Sequence, residues 1–189
     1  MKSMFSGVAT LVLMGACAAP TPPSISQTDL NVAFAEATRI SALPATSYYD
    51  LPTGSVTYDG QIGANVTGDA QGQMLADMTM VVRFDSNAMG GTVSNMNLMD
   101  TAGLPEQRLD GKLTIAGFES AGTLGGVAAG QISGVNSGGR DFDADMVLDL
   151  SGSVVNDRWY GDAVYGSATG ATTGDVNLGV TGVFFGTER

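Results

Sequence analysis

Asp141-Phe142-Asp143-Ala144-Asp145 places three carboxylates at alternate positions, the arrangement by which a hard cation such as calcium gathers oxygens. The match then fails: a calcium loop needs a turn-making glycine sixth and a bidentate glutamate twelfth, where this chain has Met146 and Gly152. On a strand the same spacing lines a solvated face, and that is the preferred reading. Ten methionines offer soft thioether sulfurs, among them Met74, Met78 and Met80, then Met89, Met96 and Met99, then Met146. Such sulfurs can hold copper(I), line an adaptable pocket or fill a core. Core packing is favoured, because Met74, Met78, Met80 and Met146 fall on apolar strand faces; Met96 is ambiguous in register. Trp159, Tyr160 and Tyr165 either cap one end of the fold or serve as interface anchors, with capping preferred. The chain has no histidine, which excludes Ser-His-Asp and Cys-His triads, imidazole zinc sites and histidine-ligated haem. Nineteen acidic residues always allow some carboxylate pair to meet, but no spacing singles out a glycosidase pair. No catalytic residue, metal site or cofactor is expected, and the chain is read as a non-enzyme.

The elements that must position these residues are mostly strands. From Thr28 to Ser41, Leu30, Ala33, Phe34, Ala37 and Ile40 follow helical spacing, with Thr28 or Asp29 available as a cap and Pro44 limiting extension. This predicts one short amphipathic helix that packs on or plugs the following domain. After Leu51-Pro52-Thr53-Gly54 the period becomes two. Phe142, Ala144, Met146, Leu148, Leu150 and Gly152 share one face, opposite Asp143, Asp145, Asp149 and Ser151, with Val147 as the exception. Met74, Ala76, Met78, Met80, Val82 and Phe84 form a second apolar face. Weaker runs cover 55–64, 91–99, 108–118, 127–135, 159–165 and 175–186. Eight strands joined by short turns predict an all-β fold, an eight-stranded antiparallel soluble barrel preceded by the helix, with a two-sheet sandwich as the alternative. Glycine, at 27 of 189 residues, falls on apolar strand faces as well as turns: Gly111 and Gly117 share parity with Leu109, Leu113 and Ile115. There it lets strands bend and bulky neighbours fill a tapering barrel. The aspartate-rich outer face and an aromatic content of 7% argue against a membrane-spanning barrel.

Residues 1–16 read as an export signal: Met1-Lys2 is a short positive region and Met4 to Met14 is apolar, too short a stretch to span a bilayer. The sole cysteine, Cys17, follows Gly15-Ala16, and the stretch resembles the bacterial lipobox, with Met14 where leucine is usual. The resemblance implies that Cys17 is lipidated, carrying acyl chains such as palmitate, and so becomes the first mature residue. Cleavage would remove Lys2, and lipidation would consume the only thiol, leaving no disulfide and no thiolate nucleophile. Ala18 after the cysteine resembles the signal for outer-membrane delivery; the anchor is compatible with a barrel facing either the periplasm or the exterior. Residues 17–27 then form a tether in which Pro20, Pro22 and Pro23 favour extended backbone, 28–53 a short helix and linker, and 54–189 the barrel domain.

A lipobox, a proline-rich tether, a helix and a glycine-rich barrel together resemble the lipoproteins of the transferrin-binding protein B barrel superfamily. Ala163-Val164-Tyr165-Gly166 and Gly182-Val183-Phe184-Phe185-Gly186 are similar to that family's closing hairpin, and Leu51-Pro52-Thr53-Gly54 with Val56-Thr57-Tyr58-Asp59-Gly60 to the start of its first strand. The likeness spans about Asp50 to Gly186. It departs at Ser167 to Thr173, which lack the family's proline, and the chain is too short for a two-lobed receptor. Transferrin capture is therefore not carried over. The resemblance implies a single-barrel outer-membrane lipoprotein that binds a protein or small hydrophobic ligand; the alternative is an envelope-maintenance lipoprotein with a solid core and no ligand. With a net charge of −11 the chain lacks the basic footprint that nucleic acid requires. The expected partners are a membrane, through the lipid, and that ligand, with the chain itself a monomer.

Overall fold

The computed structural model describes residues 19–158 and 160–189. The export signal, Cys17 and Trp159 lie outside them. Helix α1 (Gln27–Ser41) precedes a single-turn helix at Tyr48–Asp50 and nine strands: β1 (Ser55–Gly68), β2 (Gly72–Arg83), β3 (Ala88–Met99), β4 (Pro105–Gly111), β5 (Leu113–Ser120), β6 (Thr123–Val135), β7 (Asp141–Asp157), β8 (Gly161–Gly174) and β9 (Leu178–Glu188). All pairings are antiparallel. β1, β2, β3, β5, β6, β7, β8 and β9 close into a ring through the β1–β9 pairing, which gives the expected eight staves and no sandwich. The ninth strand comes from the fourth stave. β4 and β5 both lie between β3 and β6, and the β6 register runs on unchanged from Asp110↔Ser133 to Thr114↔Ala129. The stave breaks after Gly111, whose φ of +121° a side chain would strain.

Alternation sorts the faces. Phe142, Ala144, Met146, Leu148 and Leu150 are buried, Asp143, Asp145 and Asp149 are exposed, and Val147 sits on the outer wall. Met74, Met78, Met80, Met89, Met96 and Met146 belong to one contiguous core with Tyr58, Leu148 and Phe184. Unbranched methionines thus fill the lumen, and Met96 resolves inward. An apolar interior with a polar exterior is the reverse of a lipid-spanning barrel.

A second core lies outside the staves. Ala33, Ala37 and Ile40 of α1 pack against Leu75, Met99, Val155, Ala163 and Phe185. Leu75, expected to face outward with Asp77 and Thr79, does so and is still only 2% exposed, because the helix covers it. The helix therefore packs on the wall and does not plug the lumen. Burying Ile40 there contributes roughly 2 kcal/mol. Its cap is Ser26, one turn before Asp29: the Ser26 hydroxyl accepts the Asp29 N–H, and the Asp29 carboxylate accepts the Ser26 N–H at 2.7 Å. Phe34, expected on the buried face, is 74% exposed at its edge.

The two barrel ends differ. At one end, the mouth, turns 69–71, 100–104, 136–140 and 175–177 gather. At the other, the base, residues 44–54 run across the opening: Thr46 N–H donates to Val154, Asn156 N–H to Pro44, and Gly54 N–H to the Asp85 carboxylate. Leu51 packs into the core from this strap.

Candidate functional site

Buried polar groups are the natural place to look for chemistry, and here nearly all serve the backbone. Glu119 accepts the Gly122 N–H at 2.7 Å. Thr172 donates to the Val176 carbonyl and accepts the Leu178 N–H, which closes the β8–β9 turn. Gln107 bridges to Val135, donating to its carbonyl at 2.8 Å and accepting its N–H at 3.1 Å. Asp157, 5% exposed, meets Arg39 of α1. The Tyr58 hydroxyl alone is buried without a partner among the described residues.

Tyr58 points toward the base, where burial, reinforced by Asp162, Glu188 and Glu119, holds its phenol protonated well above the ordinary range. Burial also raises the Asp162 carboxyl, although the Thr46 hydroxyl donates to it at 3.1 Å and pulls the other way. A raised carboxyl is most compatible with folding below its ordinary value of 3.8 and costs stability as pH rises through its folded value. Asp162→Asn keeps the acceptor for Thr46 and removes the charge. It is expected to raise the stability measured by urea unfolding at pH 7 by less than about 1 kcal/mol, since the group is partly exposed to solvent. The gain should fade toward pH 3.5; a gain that persists there would show that charge is not its cause.

The mouth holds a hollow of about 270 Å³. Its floor is apolar, from Leu98, Phe142, Val176 and Leu178, and its rim carries Asp69, Asp100 and Glu106 with Gln71, Asn136 and Ser137. The rim turns are held by their own acidic and amide side chains. Asp100 accepts the N–H groups of Ala102 and Leu104 at 2.9 Å, Asn136 accepts those of Gly138 and Arg140, and Asp69 accepts that of Asn177. These contacts stiffen the turns while leaving the rim negatively charged. The arrangement suits an apolar body with a polar head. A second hollow of about 180 Å³ lies under α1, between Leu30, Phe34 and the wall at Gly63, Leu75 and Val183.

Asp141, Asp143 and Asp145 stand side by side on the outer face of β7, and among the described residues no group of three or more acidic side chains gathers as a metal site. Of the late aromatics, Tyr160 lies at the base, 73% exposed, with the Arg39 guanidinium 5.5 Å from its ring centroid. Tyr165 instead faces the outer wall beside the second core, partly buried. Tyr48 and Tyr49, which composition did not single out, add an exposed edge-on pair at 5.6 Å. The mouth was not foreseen either, because its floor residues are far apart in sequence and meet only when the ring closes. Comparison with protein-family models, curated proteins and solved structures finds no match.

Proposed function

We propose that this chain is a non-enzymatic lipoprotein of the outer membrane, anchored through Cys17, whose barrel binds a small ligand with an apolar body at its mouth. The resemblance to the transferrin-binding protein B barrel superfamily supports the class, and the mouth hollow supports the site. The carrying observation is the contrast between a lumen filled with side chains and a mouth of about 270 Å³ with an apolar floor and polar rim. Binding regions placed on turns held by a rigid scaffold are a general pattern, and four turns meet here. The filled lumen also favours a second reading, a structural envelope lipoprotein with no ligand.

Native mass spectrometry of the protein recovered from its own cells separates the two. A retained small molecule is expected in the parent and lost in Gln71→Trp, which sets a large ring on an exposed rim position without disturbing the core. A parent free of any bound molecule would favour the structural reading. Retention unchanged by Gln71→Trp would place the site elsewhere.

A further inference from the structure

We propose that residues 19–24 are a docked strap, which fixes the anchored terminus at the mouth end and turns the mouth toward a zwitterionic lipid surface. The strap occupies a seam in the barrel wall. β4 pairs with β6 only at Asp110↔Ser133 and Gly111↔Ile132; nearer the mouth the two strands part, and the Gln107 side chain bridges to Val135 in place of backbone. There the Thr21 carbonyl accepts the Arg108 N–H at 2.9 Å, and the Thr21 hydroxyl donates to Asp110 at 2.8 Å. Three residues on, the Ser24 N–H donates to the buried Asn97 side chain at 2.8 Å and the Ser24 hydroxyl to Asn95 at 2.6 Å. Asn95 is available because β3 bulges between Asp77 and Leu75 of its partner and turns Asn95 to a φ of +51°. Pro20, Pro22 and Pro23 suit the role, since each presets extended backbone and brings no N–H that needs a partner.

The position of the strap sets the orientation. Ala19 lines one surface hollow with Gly134, Asp141 and Asp143, just below turn 136–140 at the mouth. Cys17 is two residues upstream, within about 7 Å along extended backbone. The 13 residues of β6 span about 40 Å toward the base. A lipid on Cys17 therefore seats the mouth, and not the base, at the bilayer. The acidic rim makes a zwitterionic surface the compatible one, because an anionic surface would repel it. A ligand of the mouth would then arrive from the headgroup layer, while Tyr48, Tyr49 and Tyr160 face away. This inference rests on the lipidation of Cys17 proposed above.

Lipidation consumes the only native cysteine, so a cysteine introduced at an exposed turn can be labelled uniquely. The test uses full-length lipidated Ser137→Cys (mouth) and Ser86→Cys (base), each carrying a fluorophore, in phosphatidylcholine vesicles with headgroup spin-label quencher. Quenching several-fold stronger at 137 than at 86 is expected; equal or reversed quenching overturns the proposal. Ser24→Pro removes the N–H bonded to Asn97 and should reduce the difference without abolishing it, with the barrel's circular dichroism intact, because Gln27 at the start of α1 still lies beside Gly103 at the mouth. A difference undiminished by Ser24→Pro would overturn the strap as its cause. Lipidation has its own readout: parent protein that fractionates with Cys17→Ala, away from vesicles, refutes the anchor and this inference with it. Vesicle-bound parent with equal quenching refutes the orientation alone.

Discussion

Gly166→Ala is expected to destabilise the barrel by about 3 kcal/mol, close to the upper end for overpacking a core. The reason lies in three staves. Gly152 of β7 pairs with Gly166 of β8, which pairs in turn with Phe184 of β9, and the fully buried Phe184 ring lies across both glycines. A Cβ on Gly166 would stand 2.6 Å from Phe184 Cε1 and against the Ser151 carbonyl and the Gly152 Cα. One on Gly152 would stand 2.7 Å from Phe184 Cζ. A rotamer change can move a ring but not two backbones, so the strands themselves would have to separate. Gly90→Ala in β3 is the control: its nearest neighbours are 3.7 and 3.8 Å away, and its effect should stay within about 0.5 kcal/mol. Urea midpoints at unchanged slope measure both. Equal shifts in the two variants would mean that the ring is not seated on the glycines.

The same glycines show what the sequence carries. Their parity with apolar residues is visible along one strand, whereas the ring they accommodate comes from another and appears only with the register. Strand faces were legible for a similar reason: Phe142 to Leu150 alternate with aspartates, and the period alone says which side is wet. Leu75, Met99 and Phe185 were not legible as buried, because the helix that covers them is distant in sequence and only its own face is periodic. The break after Gly111 left no mark, since β4 and β5 keep one register along β6. The prolines announced an extended segment, but the dock for it depends on a bulge at Asn95 and a seam at Gln107. The mouth is the extreme case, a site assembled by turns whose aspartates and asparagines individually look like ordinary turn formers.

Arg39→Met should produce the second large effect, about 2 kcal/mol at pH 7. Methionine preserves the apolar stem, so the change isolates the charge. In the last turn of α1 the Arg39 guanidinium bonds Glu36 at 2.7 Å and reaches the buried carboxylate of Asp157 at the base. Removing one partner of a buried ion pair costs about 3 to 5 kcal/mol. The arginine side chain is itself 36% exposed, so solvent screens part of this and the lower figure applies. Glu36 supplies the pH signature. Its hydrogen bond to Arg39 holds its carboxyl below the ordinary value of 4.5. A depressed carboxyl contributes its stability above that value and loses it as pH falls through the folded one. The parent should therefore lose more than the variant on acidification, and the gap between their urea midpoints should narrow from pH 7 to pH 3.5. A gap independent of pH would assign the effect to packing. The loosening should also be local in hydrogen exchange. Thr46 N–H and Asn156 N–H tie the base strap to β7 and should exchange faster in the variant, while the paired amides of β7 between β6 and β8 keep their protection.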